Sequence, residues 1–120
     1  MIEPSINFEA RFPVSDWNGN YFQAGCGGFC GLVLPERETH SNSINHALRK
    51  GYAAITTDSG HSGDHIGDAR WALNNQLAEQ VYARDILPIT RAAGHELIKL
   101  IYGKDPDFSY FSGCSNGGRL

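Results

Sequence analysis

The sequence predicts an α/β fold, on three observations. Stretches with strand patterning, at residues 6–12, 21–25, 52–58 and 108–113, are separated in the second half of the chain by stretches with helical patterning. A helix precedes each of the last two strands, the alternation of a sheet layered with helices rather than of a bundle or a sandwich. Glycine-rich segments lie after three of the strands, at 25–31, 58–68 and from 113 onward.

Taken in order, INFEARF (6–12) alternates apolar and polar residues and stops at Pro13, which reads as a strand with one face on a core. SDWNGN (15–20) is a turn, and YFQAG (21–25) a second short strand entering the cluster GCGGFCG. SNSINHALRKGY (41–52) opens with Ser and Asn caps, places Ile44, Ala47 and Leu48 on one face and stops at Gly51, so it reads as a short helix. YAAITTD (52–58) reads as a buried strand and DSGHSGDHIGD (58–68) as a loop. From Asp68 the spacing turns helical through Ala69, Ala72, Leu73, Leu77, Val81 and Tyr82, with Pro88 expected to break or restart the helix. Residues 89–103 continue it, with Ile89, Ala92, Ala93, Leu97, Leu100 and Ile101 on one face and a stop at Gly103. FSYFSG (108–113) is the last strand, and SNGGRL opens a further helix.

Composition bounds the class. The 120 residues suffice for one small domain with a core, and 41% hydrophobic with 19% charged residues is a globular balance. A net charge of −3 argues against nucleic acid or an anionic membrane as partner, since both select basic patches. No apolar run approaches the roughly 18–20 residues of a membrane span. The opening MIEPSINFEARF lacks the basic and apolar regions of a signal peptide. No residue pattern calls for a cofactor. Three cysteines, at 26, 30 and 114, leave at least one thiol free or paired outside this sequence.

Three segments carry possible chemistry. Gly113-Cys114-Ser115-Asn116-Gly117 fits G-x-S-x-G between a predicted strand and a predicted helix. A serine nucleophile on such a turn sits in strained dihedrals, and small residues two before and two after let neighbouring backbone pass close. The amide of Asn116, next in the chain, is placed to donate to an oxyanion. A glycine-rich turn with a capping serine is the plain alternative. GCGGFCG can bring a second backbone N–H to the same oxyanion, glycine leaving room for the substrate carbonyl; an ordinary turn is again the alternative. It lacks the Lys-Ser/Thr of a phosphate-binding loop. Cys26 and Cys30 are near enough to bridge, but the strain expected of so short a loop favours leaving them unbridged. In the third segment, Asp58, His61, Asp64, His65 and Asp68 include an H-x3-H spacing compatible with zinc, yet on a loop rather than one helix face, so a solvated or structural role is expected. His61 is a further candidate, as an in-chain general base. His40, His46 and His95 have no chemical company; His46 and His95 read as surface or packing residues in helices.

WNGNYFQAGCGGFCG, TTDSGHSG, ARWALNNQ, LIKLIYG and FSGCSNGGR follow one another in an order and spacing that resembles the first part of the tannase/feruloyl esterase family of α/β-hydrolases. The resemblance covers nearly the whole chain, and five segments together are far more specific than the serine motif alone. It implies a partial α/β-hydrolase fold: the N-terminal strands, helices and nucleophile elbow. It implies that Ser115 attacks the carbonyl of a small-molecule aromatic or phenolic ester and forms an acyl-enzyme. The oxyanion hole would come from the amide of Asn116 and a glycine of the 25–28 cluster, foremost Gly28, with Gly27 beside it. Cys114 would pair with a cysteine next to the catalytic histidine, outside this chain.

The same resemblance implies that much is missing. The acidic residue and histidine of the triad would lie beyond residue 120, with the lid domain, its metal site and the partner of Cys114. Family members run to several hundred residues and are exported, so the protein is expected to be secreted or periplasmic, with residues 1–120 an N-terminal part of the catalytic domain. As 120 residues alone the chain is expected to be inactive and marginally stable, its sheet ending on an unpaired edge. Two other readings stay open at this point: a non-enzymatic α/β module gripping an anion, and a metal-dependent hydrolase using residues 58–68.

Overall fold

A computed structural model of the protein describes residues 5–36 and 44–120. Four strands form one mixed sheet: β1 (Phe8–Arg11), β2 (Asn20–Ala24), β3 (Ala53–Thr57) and β4 (Phe108–Ser112), in spatial order β1-β3-β2-β4. β1 runs antiparallel to β3, whereas β3, β2 and β4 are parallel. The expected strands are all present: β1, β3 and β4 are shorter than their sequence patterns by one to three residues, and β2 keeps its five residues one position earlier.

Parallel neighbours need crossovers, and helices supply them. α1 (Ile44–Arg49) links β2 to β3. The rest of the expected helix, 41–43, lies outside the described residues. α2 (Gln76–Gln80), a single π-helical turn (Val81–Asp85) and α3 (Ile86–Tyr102) run on from one another and link β3 to β4. Side chains alternate across a strand, so the two crossovers cover opposite faces. Ala24 and Ala54 pack with Ile44 and Ala47 of α1 on one face. Tyr21, Ala53 and Ile55 pack with Ile98 of α3 on the other, joined by Ala10, Phe12, Trp17 and Tyr102. β3 is buried at all five positions between these layers, but β4 is exposed at all five, including Phe108, Tyr110 and Phe111.

The helical stretch departs from its sequence pattern in three ways. The pattern after Asp68 resolves into a 3-10 turn at Arg70–Ala72, then α2, whose cap is Asn75 accepting from the Ala78 N–H at 3.2 Å. Pro88 does not break the helix. It lies in the first turn of α3, directly after the π turn, and that wider turn makes room for its ring. The buried face of α3 is Ile86, Thr90, Gly94 and Ile98, while Ile89, Leu100 and Ile101 of the expected face are exposed. Gly94 is the reason. The Tyr21 ring lies where a side chain at 94 would begin, so α3 approaches the sheet along a stripe that apolar spacing alone does not reveal.

This topology positions the site. β2 lies between β3 and β4, and the chain leaves it to one side and later returns on the other. Ala24 pairs with Thr56 and with Ser112, so the segments after the three parallel strands emerge together at one sheet edge. Open α/β sheets bind ligands at such a reversal of strand order, outside the carboxyl ends of the strands.

Candidate active site

β4 ends in a sharp turn. Cys114 is extended, Ser115 is left-handed at φ +56°, and a 3-10 turn begins at Ser115 and runs to Gly118. A non-glycine residue held there costs about 1–3 kcal/mol and persists only where its surroundings impose it. Those surroundings are backbone. A Cβ on Gly113 would run into the Gly117 carbonyl, and one on Gly117 would lie 2.9 Å from the Gly25 carbonyl carbon. The glycines before and after the serine therefore let the end of β4, the turn and the end of β2 pack main chain against main chain. Gly25 N–H donates to Ser112 O at 2.9 Å across this seam. Ser115 is exposed, and its hydroxyl has no hydrogen bond among the described residues.

The glycine loop 25–31 faces this turn. It is held from behind, where Phe29 N–H donates to Ile66 O at 2.7 Å and Gly31 N–H to Asp58 O at 2.9 Å. Gly28 has φ +58°, and a Cβ there would strike Ile66 O. Cys26 and Cys30 are joined by a disulfide, contrary to the expectation that they stay unbridged. Left-handed residues at 28 and 30 curl the loop until the two Cα atoms are 5.8 Å apart, an ordinary separation for a bridge. The buried Ser59 hydroxyl lies 3.0 and 3.1 Å from the two sulfurs. Cys114 is a free, exposed cysteine. The N–H groups of Gly27, Gly28 and Asn116 donate no hydrogen bond among the described residues.

Asn116 joins the two segments. Its Nδ2 donates to Cys26 O at 3.3 Å and approaches Cys30 Sγ at 3.5 Å. Its Oδ1 accepts from the Tyr82 hydroxyl at 2.6 Å and from Arg119 Nε at 3.1 Å. The same Tyr82 hydroxyl lies 3.5 Å from Gly28 O. Arg119 stacks its guanidinium 4.3 Å over the Tyr82 ring and donates to Tyr82 O at 3.0 Å and Ala83 O at 3.5 Å, in the π turn. The sequence marks Asn116 only for its main-chain amide, Tyr82 only for helical spacing and Arg119 only as part of a motif. No local pattern announces their contact, which spans 34 residues between Tyr82 and Asn116.

The 58–68 segment does not assemble a metal site. Asp58 is buried and accepts from Asn7 N–H, Asn7 Nδ2 and Gly60 N–H. Asp64 and Asp68 both pair with Arg70, at 2.6 and 2.7 Å, and Arg70 holds the Asp68 carboxyl well below the usual range. His65 Nδ1 accepts from Gly67 N–H. His61 is buried, donates from Nε2 to Phe29 O at 2.6 Å and stacks on Trp71 at 3.6 Å. Burial pushes His61 below the ordinary histidine value, partly offset by the Phe29 carbonyl. Among the described residues no three His, Cys, Asp or Glu side chains converge on a point where an ion would sit. The readings of this loop as a zinc site and of His61 as the general base therefore lack their geometry; the loop braces Phe29 and Gly31. His46 lies in α1, His95 hydrogen-bonds Ser109 at 2.9 Å on the outside of the sheet, and His40 lies outside the described residues.

A glycine-flanked, left-handed serine at the end of a parallel strand, facing a second glycine loop, is the arrangement of an α/β-hydrolase. The family model for tannase and feruloyl esterase matches residues 2–120, and the chain belongs to that family. It is 37% identical over 117 residues to an uncharacterized esterase of Xanthomonas campestris, covering 98% of this chain and 19% of that protein. It is 33% identical over 121 residues to the mono(2-hydroxyethyl) terephthalate hydrolase of Piscinibacter sakaiensis, covering 95% and 20%. The crystal structure of feruloyl esterase B from Aspergillus oryzae superposes with a TM-score of 0.80 at 30% identity, over 95% of this chain and 21% of that one. The chain thus spans about a fifth of the length of these relatives.

Proposed function

We propose that the protein is a serine esterase in which Ser115 is the nucleophile and the amides of Asn116 and Gly28 are the oxyanion donors, with Gly27 beside them. The observation that carries this reading is the juxtaposition of a strained, solvent-facing serine with backbone N–H groups that have no other partner among the described residues. Ser115 Oγ attacks the ester carbonyl carbon, the carbonyl oxygen takes the negative charge, and fixed N–H groups stabilise that charge without having to reorient. The alcohol leaves, and water attacks the acyl-enzyme by the same route in reverse.

A general base must take the serine proton, and neither His61 nor His95 is hydrogen-bonded to Ser115. We place the base and its orienting carboxylate in the remainder of the protein, since these residues span only about a fifth of their relatives. Residues 1–120 are then an N-terminal part of the catalytic domain, without ester cleavage of their own. β4 fits this, because both its faces carry exposed aromatic residues suited to further strands and helices. Cys114 is available to a cysteine from the remainder. The substrate class is a small aromatic ester, as the relatives named for feruloyl and terephthalate esters suggest. The Cys26–Cys30 bridge favours an exported protein, since disulfides persist in oxidising compartments.

The test is Ser115→Ala in the full-length protein with a chromogenic aryl ester. Hydrolysis is expected to fall by roughly 10⁴-fold or more, and a fluorophosphonate should label the wild-type protein at Ser115 alone. Retained turnover in the variant would move the chemistry elsewhere.

A further inference from the structure

Oxyanion donors work only if their N–H vectors are held within about 0.5 Å of the position where charge develops. The rear of the glycine loop is held by the disulfide, Ser59 and Ile66. On the side facing the elbow, the Asn116 side chain grips it by donating to Cys26 O.

That grip depends on which way round the amide sits. Cys26 O can only accept, so it needs Nδ2 and is repelled by Oδ1. The Asn116 backbone does not distinguish the two orientations. Arg119 does: its Nε can only donate, so at 3.1 Å it takes Oδ1 and turns Nδ2 toward Cys26. The Tyr82 hydroxyl, which can donate or accept, donates to the Oδ1 so placed at 2.6 Å and holds it there. Tyr82 is itself aimed by the π turn that carries it and by the guanidinium over its ring. Single π turns occur frequently at functional sites.

We infer that Tyr82 is a positioning residue for the oxyanion hole: its hydroxyl anchors the Asn116 side-chain amide and thereby holds Cys26–Gly28 against the nucleophile elbow. It touches no reacting atom. This inference rests on the esterase reading above and deepens it.

The experiment is Tyr82→Phe in the full-length protein, with Arg119→Lys as a second variant and Ser115→Ala alongside. The readouts are kcat and KM on an aryl ester, the Ki of phenylboronic acid (which forms a tetrahedral adduct on a serine nucleophile) and the melting temperature. For Tyr82→Phe, kcat is expected to fall about fivefold to tenfold, the effect of one hydrogen bond, with KM within about twofold. The boronic acid should weaken by a similar factor, because it fills the same hole. Arg119→Lys keeps the charge but loses the Nε contact and the planar stack, and should move kcat and Ki the same way by about threefold. Unchanged kcat and Ki in Tyr82→Phe, with Ser115→Ala inactive, would overturn the positioning role and leave the esterase reading standing. So would a lower melting temperature with unaltered Ki, or a raised KM with unaltered kcat. Ser115→Ala that still cleaves the ester would overturn the esterase reading, and this inference with it.

Discussion

Two glycine-rich loops leave the same sheet edge, and they differ in what they leave unsatisfied. The 58–68 loop carries the more reactive-looking residues, two histidines and three aspartates. Each of those side chains is engaged with a neighbour, Asn7 and Gly60, Arg70, Gly67 or Phe29, and the one buried atom they leave without a partner among the described residues is His61 Nδ1, closed off from solvent. The 25–31 loop and the elbow beside it carry almost no polar side chains, yet they present main-chain N–H groups without partners and a serine without a hydrogen bond among the described residues. Satisfied charges build a scaffold. Unsatisfied groups, held still by that scaffold, are what a substrate meets. Residue type alone would have ranked the two loops the other way.

The comparison would break first at Ser115, where replacement by alanine should cost roughly 10⁴-fold in turnover. Opening the bridge tests whether the reactive loop needs its clamp. Cys26→Ser with Cys30→Ser is expected to lower stability by about 2 kcal/mol in urea unfolding and to reduce kcat more than KM. A smaller effect belongs to the scaffold loop and depends on pH. His61 has its folded value lowered by burial, so on acidification the unfolded chain takes up the proton first. Its contribution to stability is complete above about pH 6.5 and is lost as pH falls from there through the lower folded value. The melting temperature should drop between about pH 7 and 5, and His61→Gln should flatten part of that drop. The smallest effect is expected at the residues that most resemble ligands. Asp64→Asn with His65→Ala removes an exposed ion pair and one turn contact, and should leave turnover within about twofold and stability within about 1 kcal/mol. A large loss of activity in that variant would return the chemistry to the 58–68 loop.

The legible parts of the molecule are those written in neighbouring residues. Period-two patterning located β1, short runs bounded by turn residues located β2 to β4, and the G-x-S-x-G spacing located the elbow, because all are local requirements of the backbone. What stayed hidden depends on distant partners. The buried stripe of α3 passes through Thr90 and Gly94 because Tyr21, two strands earlier, occupies the groove. The Cys26–Cys30 bridge becomes easy only once residues 28 and 30 are left-handed, and cysteine spacing does not report dihedrals. Tyr82 looks like any other residue at helical spacing until the helix widens at that turn and the chain returns with Asn116.

That widened turn also bears on how this segment can vary. A π turn is an α-helix with one residue too many, so its register is sensitive to length rather than to composition. Deleting one residue between 81 and 85 would restore a regular helix and leave every hydrophobic position of α3 in place. Because the wide turn absorbs that residue locally, the helix on either side would keep its facing, and only the residues of the turn itself would change theirs. Tyr82, inside that turn, would lose its aim at Asn116 while α2 and α3 keep their packed faces. Single-residue insertions and deletions here should therefore separate catalysis from folding more cleanly than most substitutions, and members of the family that lack the extra residue must steady their glycine loop by other means.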